Sequence, residues 1–213
     1  MNKGRLISFE GLDGAGKTTQ MGLLERWLEA RGMPYIRTRE PGGTPLGLEV
    51  RSLLLNRPEL AIVPLAEAFL FQADRAQHFA TLVIPALREG KLVITDRCFD
   101  ASIAYQGFAR GVGTELVEQL SMLATQGYKP DLTILLDLDP SQVHRRTDLA
   151  ADLSGTREER TRFDTEGEEF HKRVQEGFRS LARAHPERIK VVDASRSPEE
   201  IHKEIVGLVK SLL

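Results

Sequence analysis

Apolar positions along the chain fall into two alternating rhythms. Short runs rich in β-branched and aromatic residues, at 5 to 10, 34 to 38, 91 to 95, 132 to 138 and 189 to 193, predict five strands. Between them the spacing turns helical. Met21, Leu24 and Leu28, with Trp27, recur after Lys17, and the stretches from Pro64 to Arg88 and from Thr114 to Gln126 read as mainly helical. The closing stretch "SPEEIHKEIVGLVKSLL" opens with Ser197, Pro198 and two glutamates, as a capped final helix should. Strands that alternate with helices predict an α/β fold, a five-stranded parallel sheet with helices on both faces. There is no repeat and no low-complexity linker, and 213 residues suit one domain, 1–213, with a well-buried core. Residues 148 to 162, "DLAADLSGTREERTR", break the pattern, being charged, carrying Gly155 and lacking an apolar stripe. They read either as a mobile loop over a site or as a solvated helix end with surface arginines.

The junction of the first strand and first helix carries the most specific signal. In "SFEGLDGAGKTTQ", residues 8 to 20, Gly11 is followed after four residues by Gly16, Lys17 and Thr18, the phosphate-loop spacing, set between strand and helix as that motif requires. Glycines let backbone N–H groups converge on an anion, and the helix N-terminus adds its positive dipole end. The predicted phosphate cradle is Gly11, Leu12, Asp13, Gly14, Ala15, Gly16, Lys17, Thr18 and Thr19. Lys17 reaches the β- and γ-phosphates in this reading, and Thr18 binds Mg²⁺.

Composition then removes alternatives. Lys and Arg total 29 against 31 Asp and Glu, a formal charge of -2, so no electrostatic footprint for a nucleic-acid backbone is visible. No apolar signal core precedes the first strand and no run approaches a membrane span, which points to the cytoplasm and away from a membrane. Cys98 is the only cysteine, so an internal disulfide is excluded. The five histidines contain no pair three to five apart, which leaves nucleotide-borne Mg²⁺ as the metal to expect.

A phosphate loop alone does not specify a reaction. The chain has only Asn2 and Asn56 and no Asn-Lys-x-Asp element for reading guanine, and no His-Arg-Asp loop of a protein kinase. Small-molecule phosphoryl transfer remains. Two Asp-Arg pairs point to the acceptor, Asp96-Arg97 in "VITDRCFDASIAYQG" and Asp74-Arg75 in "EAFLFQADRAQH". Asp96 at the end of an apolar strand sits where a doubly wound fold holds its Mg²⁺-side carboxylate, partly through water, and Arg97 can grip a phosphate bidentately. Each pair taken alone could also be a local ion pair.

In their order and spacing, "FEGLDGAGKTTQ", "TREPGGTPLGLEVRSLLL", "EAFLFQADRAQH", "VITDRCFDASIAYQG", "KPDLTILLDLDP" and "VVDAS" resemble the thymidylate kinases of bacteria over nearly the whole chain. The resemblance implies a phosphate-loop nucleoside monophosphate kinase fold, usually a homodimer packed through helices, that converts dTMP and ATP to dTDP and ADP with Mg²⁺. Alternatives are a same-fold kinase of another nucleoside monophosphate, or a non-catalytic nucleotide-binding protein. The resemblance further implies that Phe71 stacks on thymine, Arg75 donates to a base carbonyl, and Ser102 and Gln106 complete the base edge. Arg51 and Arg97 would hold the acceptor's 5′-phosphate and Asp13 its ribose 3′-hydroxyl, while Tyr105 crowds the 2′ position. Arg146 and Ala194 fall on the adenine side, and residues 146–162 form a lid. Two departures stand out: Gly14 occupies a position where some relatives carry an arginine, and Ala101 one where many carry a hydroxyl.

With Gly14 in the loop, the missing positive charge must come from the lid, which holds Arg146, Arg157, Arg160 and Arg162. Counting back from "TRF", the family pattern places the catalytic arginine at Arg157. The insertion "DLAADLSG" makes Arg160 its rival. An arginine that meets the transferring group only in the closed state acts on the transition state, so Arg157→Ala lowers kcat by about 10³-fold while KM values move little. Steady-state kinetics of alanine variants at 157, 160 and 162 checks the register: near-normal kcat at 157 with collapse at 160 reassigns the role, and near-normal kcat in all three removes the mechanism.

Overall fold

The computed structural model describes residues 4–142, 162–163 and 166–213. Arg146, Arg157 and Arg160, and nearly all of the expected lid at 146–162, lie outside the described residues. Five strands, β1 (Arg5–Glu10), β2 (Tyr35–Arg39), β3 (Leu92–Asp96), β4 (Leu132–Asp137) and β5 (Ile189–Asp193), form one parallel sheet in the order β2-β3-β1-β4-β5. The expected strands at 34–38 and 91–95 each shift by one residue, because Leu92 N bonds to the Pro34 carbonyl and pairing starts at Tyr35 and Leu92.

Both faces of the sheet are buried, and successive residues of a strand serve different faces. Ile7 and Phe9 of β1 and Ile94 of β3 join one core with Met21, Leu24, Ile134 and Val192. Their neighbours Leu6 and Val93 join a second with Phe79, Val83 and Phe99. Nearly continuous apolar strands are what such a two-sided sheet requires.

Helices α1 (Lys17–Glu29), α2 (Pro45–Asn56), α3 (Pro64–His78), α4 (Ile84–Arg88), α5 (Phe99–Ser102), α6 (Thr114–Ala124), α7 (Glu168–Ala184) and α8 (Pro198–Leu212) connect the strands. Thr44 caps α2 by accepting from Gly47 N at 3.0 Å, ahead of Pro45 at the first helical position. Ser197 and Glu200 close a capping box on α8, as expected from its opening residues. The helical reading from Pro64 to Arg88 is interrupted by a π-helical turn at Phe79–Val83. Pro85 follows two residues on, and its missing N–H and its ring prevent the ordinary ladder from running on. A second π-helical stretch, Ile103–Ala109, follows α5, with Arg110 N bonding to the Tyr105 carbonyl at 2.8 Å.

This topology sets out the site. In register, Phe9 and Arg39 both lie opposite Asp96, and Asp137 lies opposite Asp193. The carboxyl ends of β1, β2 and β3 therefore meet at one edge, where β1 turns into α1 and the sheet order reverses. No described helix is long and apolar enough to cross a membrane.

Candidate active site

After Glu10 the chain must turn sharply into α1. Gly11 adopts φ +132, and a Cβ there would stand 2.4 Å from the Leu136 carbonyl oxygen, so only glycine fits. Gly16, at φ +98, is the N-cap of α1 and brings no side chain to it. The first N–H groups of the helix, at Lys17, Thr18 and Thr19, lack intrahelical carbonyl partners and face the loop, the arrangement that binds a phosphate. Lys17 is buried, and its ammonium donates to the carbonyls of Gly11 (3.3 Å) and Leu12 (3.0 Å) and pairs with Asp13 at 3.5 Å.

Arg97 closes this loop from the β3 side. Its Nη2 donates to Asp13 Oδ1 at 2.8 Å and to the Tyr105 hydroxyl at 3.2 Å, with the guanidinium 5.0 Å from the Tyr105 ring centroid. The residue is left-handed, φ +67, a conformation that a non-glycine holds only where its surroundings enforce it. Here three bonds do so: Arg97 N to the Phe9 carbonyl (2.9 Å), the Thr95 hydroxyl to the Arg97 carbonyl (2.8 Å), and Cys98 N to Glu10 Oε1 (2.7 Å). Lost solvation pushes the Asp13 carboxyl up, but Arg97 and Lys17 more than offset this and hold it below the usual carboxylate range. Burial, and then Asp100, raise Glu10 well above that range. Asp100 is itself locked by Arg188, at 2.6 and 2.9 Å, and by the Thr133 hydroxyl.

Glu10 Oε2, Asp96 Oδ1 and Arg97 Nη1 are all buried without a hydrogen-bond partner among the described residues. One such atom costs about 1–3 kcal/mol, so three at the ends of adjoining strands mark a place meant for a ligand. Arg97 Nη1 suits a phosphate oxygen. Asp96 Oδ1 and the exposed Thr18 hydroxyl are oxygen donors of the kind Mg²⁺ takes. Among the described residues no group of three or more His, Cys, Asp or Glu could hold a metal by itself.

A second polar cluster is organised by α3 and the π-helical stretch. Arg75 is 1% exposed; Nε donates to Glu40 Oε2 (2.8 Å), Nη1 to Gln72 (2.7 Å) and Ser121 (3.4 Å), and Nη2 to Ser102 (3.0 Å). Nη2 keeps one hydrogen for a further acceptor. Glu40 also bonds His78 Nδ1 at 2.9 Å, and His78 Nε2 bonds the Thr38 hydroxyl at 2.7 Å. Burial opposes ionisation of Glu40, but Arg75 and His78 outweigh it and lower its pKa. Gln106 donates from Nε2 to Glu67 at 2.8 Å. Phe71 is half-buried and lies 6.2 Å from Phe163, whose ring meets Tyr105 edge-on at 5.7 Å. Phe69, the other aromatic of "EAFLF", is 53% exposed and turned away from this cluster.

Arg51 donates to the Pro41 carbonyl at 3.1 Å, and burial followed by the nearby charge of Arg39 lowers its pKa. On the opposite side Ala194 is buried beyond β5, its N–H bonded to the Asp137 carbonyl. Arg162 donates from Nε to the Leu54 carbonyl and pairs with Glu67 at 2.5 Å, a structural engagement with α2 and α3.

The structure thus brings Asp13, Lys17, Arg97 and Tyr105 into one bonded cluster and Arg75 and Ser102 into another. Sequence reasoning missed the acids behind them, Glu10, Glu40 and Glu67, and missed Phe163, Arg39 and His78. A glutamate inside the apolar strand "LISFE" was the available signal for Glu10, since buried acids are rare unless paired. Glu67, in the first turn of α3, looks from sequence like a surface residue complementing the helix dipole.

Fold and site define a phosphate-loop nucleoside monophosphate kinase. A family model described as thymidylate kinase matches residues 9–205. The thymidylate kinase of Pelotomaculum thermopropionicum is 45% identical over 99% of this chain and 95% of its own length, and that of Leifsonia xyli subsp. xyli 50% identical over 95% and 92%. The crystal structure of thymidylate kinase from Ehrlichia chaffeensis superposes with a TM-score of 0.75 at 34% identity, covering 97% of this chain and 98% of that one. The chain belongs to the thymidylate kinase family.

One buried acid has a measurable consequence. Asp74 Oδ1 accepts from Gly42 N at 3.1 Å, Oδ2 has no partner among the described residues, and burial, then Glu40, push the carboxyl up to about 6. A carboxyl raised in the folded state favours folding below its unfolded pKa, and that contribution is lost as pH rises through about 6. Asp74→Asn removes the penalty while keeping the Gly42 bond, so it stabilises the protein at pH 7.5 by on the order of 2 kcal/mol. Melting curves from pH 3 to 8 check this: the advantage is near zero at pH 3, grows as pH rises to about 6, and levels off above that. An advantage independent of pH contradicts it.

Proposed function

We propose that this chain transfers the γ-phosphoryl group of ATP to dTMP, giving dTDP and ADP, as a cytoplasmic homodimer. The observation that carries the reading is the junction between the two bonded clusters. Arg97 is tied to the phosphate loop through Asp13 and to the acceptor side through Tyr105, and keeps one buried, unpaired nitrogen for an anion.

In this reading the N–H groups from Gly11 to Thr19 wrap the donor phosphates, and Lys17 leaves its loop carbonyls to follow the γ-phosphate. Arg97 and Arg51 hold the acceptor phosphate, Asp13 its ribose, and Tyr105 excludes a 2′-hydroxyl. Phe71 stacks on the base, and Arg75, Ser102 and Gln106 address its edge. Thr18 and Asp96 would hold Mg²⁺, which when bound neutralises charge on the β- and γ-phosphates. Ala194 and Arg146 would flank the adenine. No general base is needed. The acceptor is a phosphate monoester with a second pKa of about 6, so its attacking oxygen is largely unprotonated at neutral pH. Alignment and charge neutralisation in a site closed to water do the work, with Arg157 supplying the last charge.

The apolar outer face of adjoining helices supports the dimer. Leu46 and Leu53 of α2, Leu65 and Phe69 of α3, and Leu116 and Leu123 of α6 are all exposed, and α3 packs against both α2 and α6. An aliphatic and aromatic stripe of this extent is what a second copy covers in a helix-packed dimer.

Incubation with ATP, Mg²⁺ and a panel of monophosphates tests the activity: dTMP is the preferred acceptor, and Lys17→Ala abolishes transfer while leaving dTMP binding nearly intact by calorimetry. More than a few per cent residual turnover would move the donor site elsewhere. Leu123→Glu, on the outer face, shifts the molar mass measured by light scattering from two chains toward one; a wild-type monomer sinks the dimer.

A further inference from the structure

Building on the assignment of Gln106 to the base edge, we infer that Glu67 decides which end of the Gln106 amide faces the base, and so sets the preference for thymine over cytosine. A glutamine amide is nearly symmetric in shape, so shape alone leaves its two ends interchangeable. Glu67 removes the ambiguity. It is fully buried, and a carboxylate only accepts. Arg162 Nη2 occupies Oε2 at 2.5 Å, and Oε1 takes Gln106 Nε2 at 2.8 Å with Arg110 Nε at 3.4 Å. Turning the amide over would press its oxygen onto the carboxylate oxygen.

The consequence lies on the other end of the amide. Gln106 Oε1 accepts from no described residue and is left as an acceptor, one helical turn from Ser102. Ser102 in turn takes one Nη2 hydrogen of Arg75, whose remaining hydrogen is a donor. Beside the Ser102 hydroxyl, whose proton rotates to suit either edge, the base edge therefore meets one fixed donor and one fixed acceptor. Thymine offers the complement, an O4 acceptor and an N3–H donor. Cytosine offers an N4 amine and an N3 lone pair, so donor faces donor and acceptor faces acceptor. Uracil has the same edge as thymine, so Glu67 discriminates against cytosine and is blind to the methyl group.

The test compares kcat/KM for dTMP, dUMP and dCMP in the wild type and in Glu67→Gln. An amide at position 67 both donates and accepts, so either orientation of Gln106 finds a partner. The dTMP-to-dCMP ratio then falls by about tenfold or more, as expected when a polar site no longer excludes the mismatched edge. The dTMP-to-dUMP ratio and the KM for ATP stay near wild type. An unchanged dTMP-to-dCMP ratio, or equal losses for all three monophosphates, overturns the inference. Should Glu67→Gln not fold, Glu67→Asp decides: it keeps an acceptor-only group, so its dTMP-to-dCMP ratio stays close to wild type, and a collapsed ratio refutes the role. Gln106→Leu separates this inference from the reading beneath it. An unaltered KM for dTMP in that variant removes Gln106 from the base edge altogether. A raised KM with an unmoved ratio in Glu67→Gln removes only Glu67.

Discussion

The guanidinium of Arg97, at the carboxyl edge of the sheet, is the group on which the arrangement of the proposed site depends. It bridges the phosphate loop, through Asp13, to the π-helical stretch, through Tyr105. Its backbone is held left-handed by bonds from β1 and β3, so the register Phe9 to Asp96 fixes where the cation sits. Burial penalises that charge, and Tyr105, then Asp13 and Asp96, more than offset the penalty, raising its pKa well above the ordinary value. A lysine could not take its place, since one point charge cannot bond Asp13 and Tyr105 and still present a second nitrogen to a phosphate.

The same logic explains how a chain of formal charge -2 assembles an anion site. Its acids are not distributed against the ligand but set behind the cations. Asp13 is the exception in reaching the surface, and it is bonded to both Arg97 and Lys17. The result is a gathering of Lys17, Arg51 and Arg97 around the phosphate loop of a molecule with no net positive charge, which suits a small anion better than a nucleic-acid backbone.

Much of this was legible in the sequence, for definite reasons. A two-sided parallel sheet demands continuous apolar strands, so the five strands stood out to within a residue. The phosphate loop is local, and glycines at positive φ leave a direct mark, as Gly11 and Gly16 do. Less legible were features created only by tertiary contact. The π-helical turn before Pro85 and the one carrying Tyr105 and Gln106 have no periodic signature in the chain. That Phe71 turns inward and Phe69 outward depends on the rotation of α3, and only Phe163, nearly a hundred residues on, marks the inner side. The pairings of Glu40 with Arg75 and of Glu67 with Arg162 span 35 and 95 positions, beyond what spacing can reveal.

Three of these hidden acids share one arrangement. Glu10 holds the backbone that carries Arg97, Glu40 clamps Arg75, and Glu67 clamps Gln106, and their exposures are 0, 3 and 0%. Burying a carboxylate is costly unless it is paired, and each of these is bonded to the side chain or backbone segment it positions. The acids differ in what they receive. Glu40 is lowered by Arg75 and His78, whereas Glu10 is raised by burial and by Asp100. A carboxyl disfavoured as an anion can still accept a backbone N–H, while an ionised one is tolerable where a guanidinium is buried against it. The two acids therefore do different work: Glu10, disfavoured as an anion, holds the backbone that carries Arg97, and Glu40 is the anionic half of a buried ion pair that fixes Arg75.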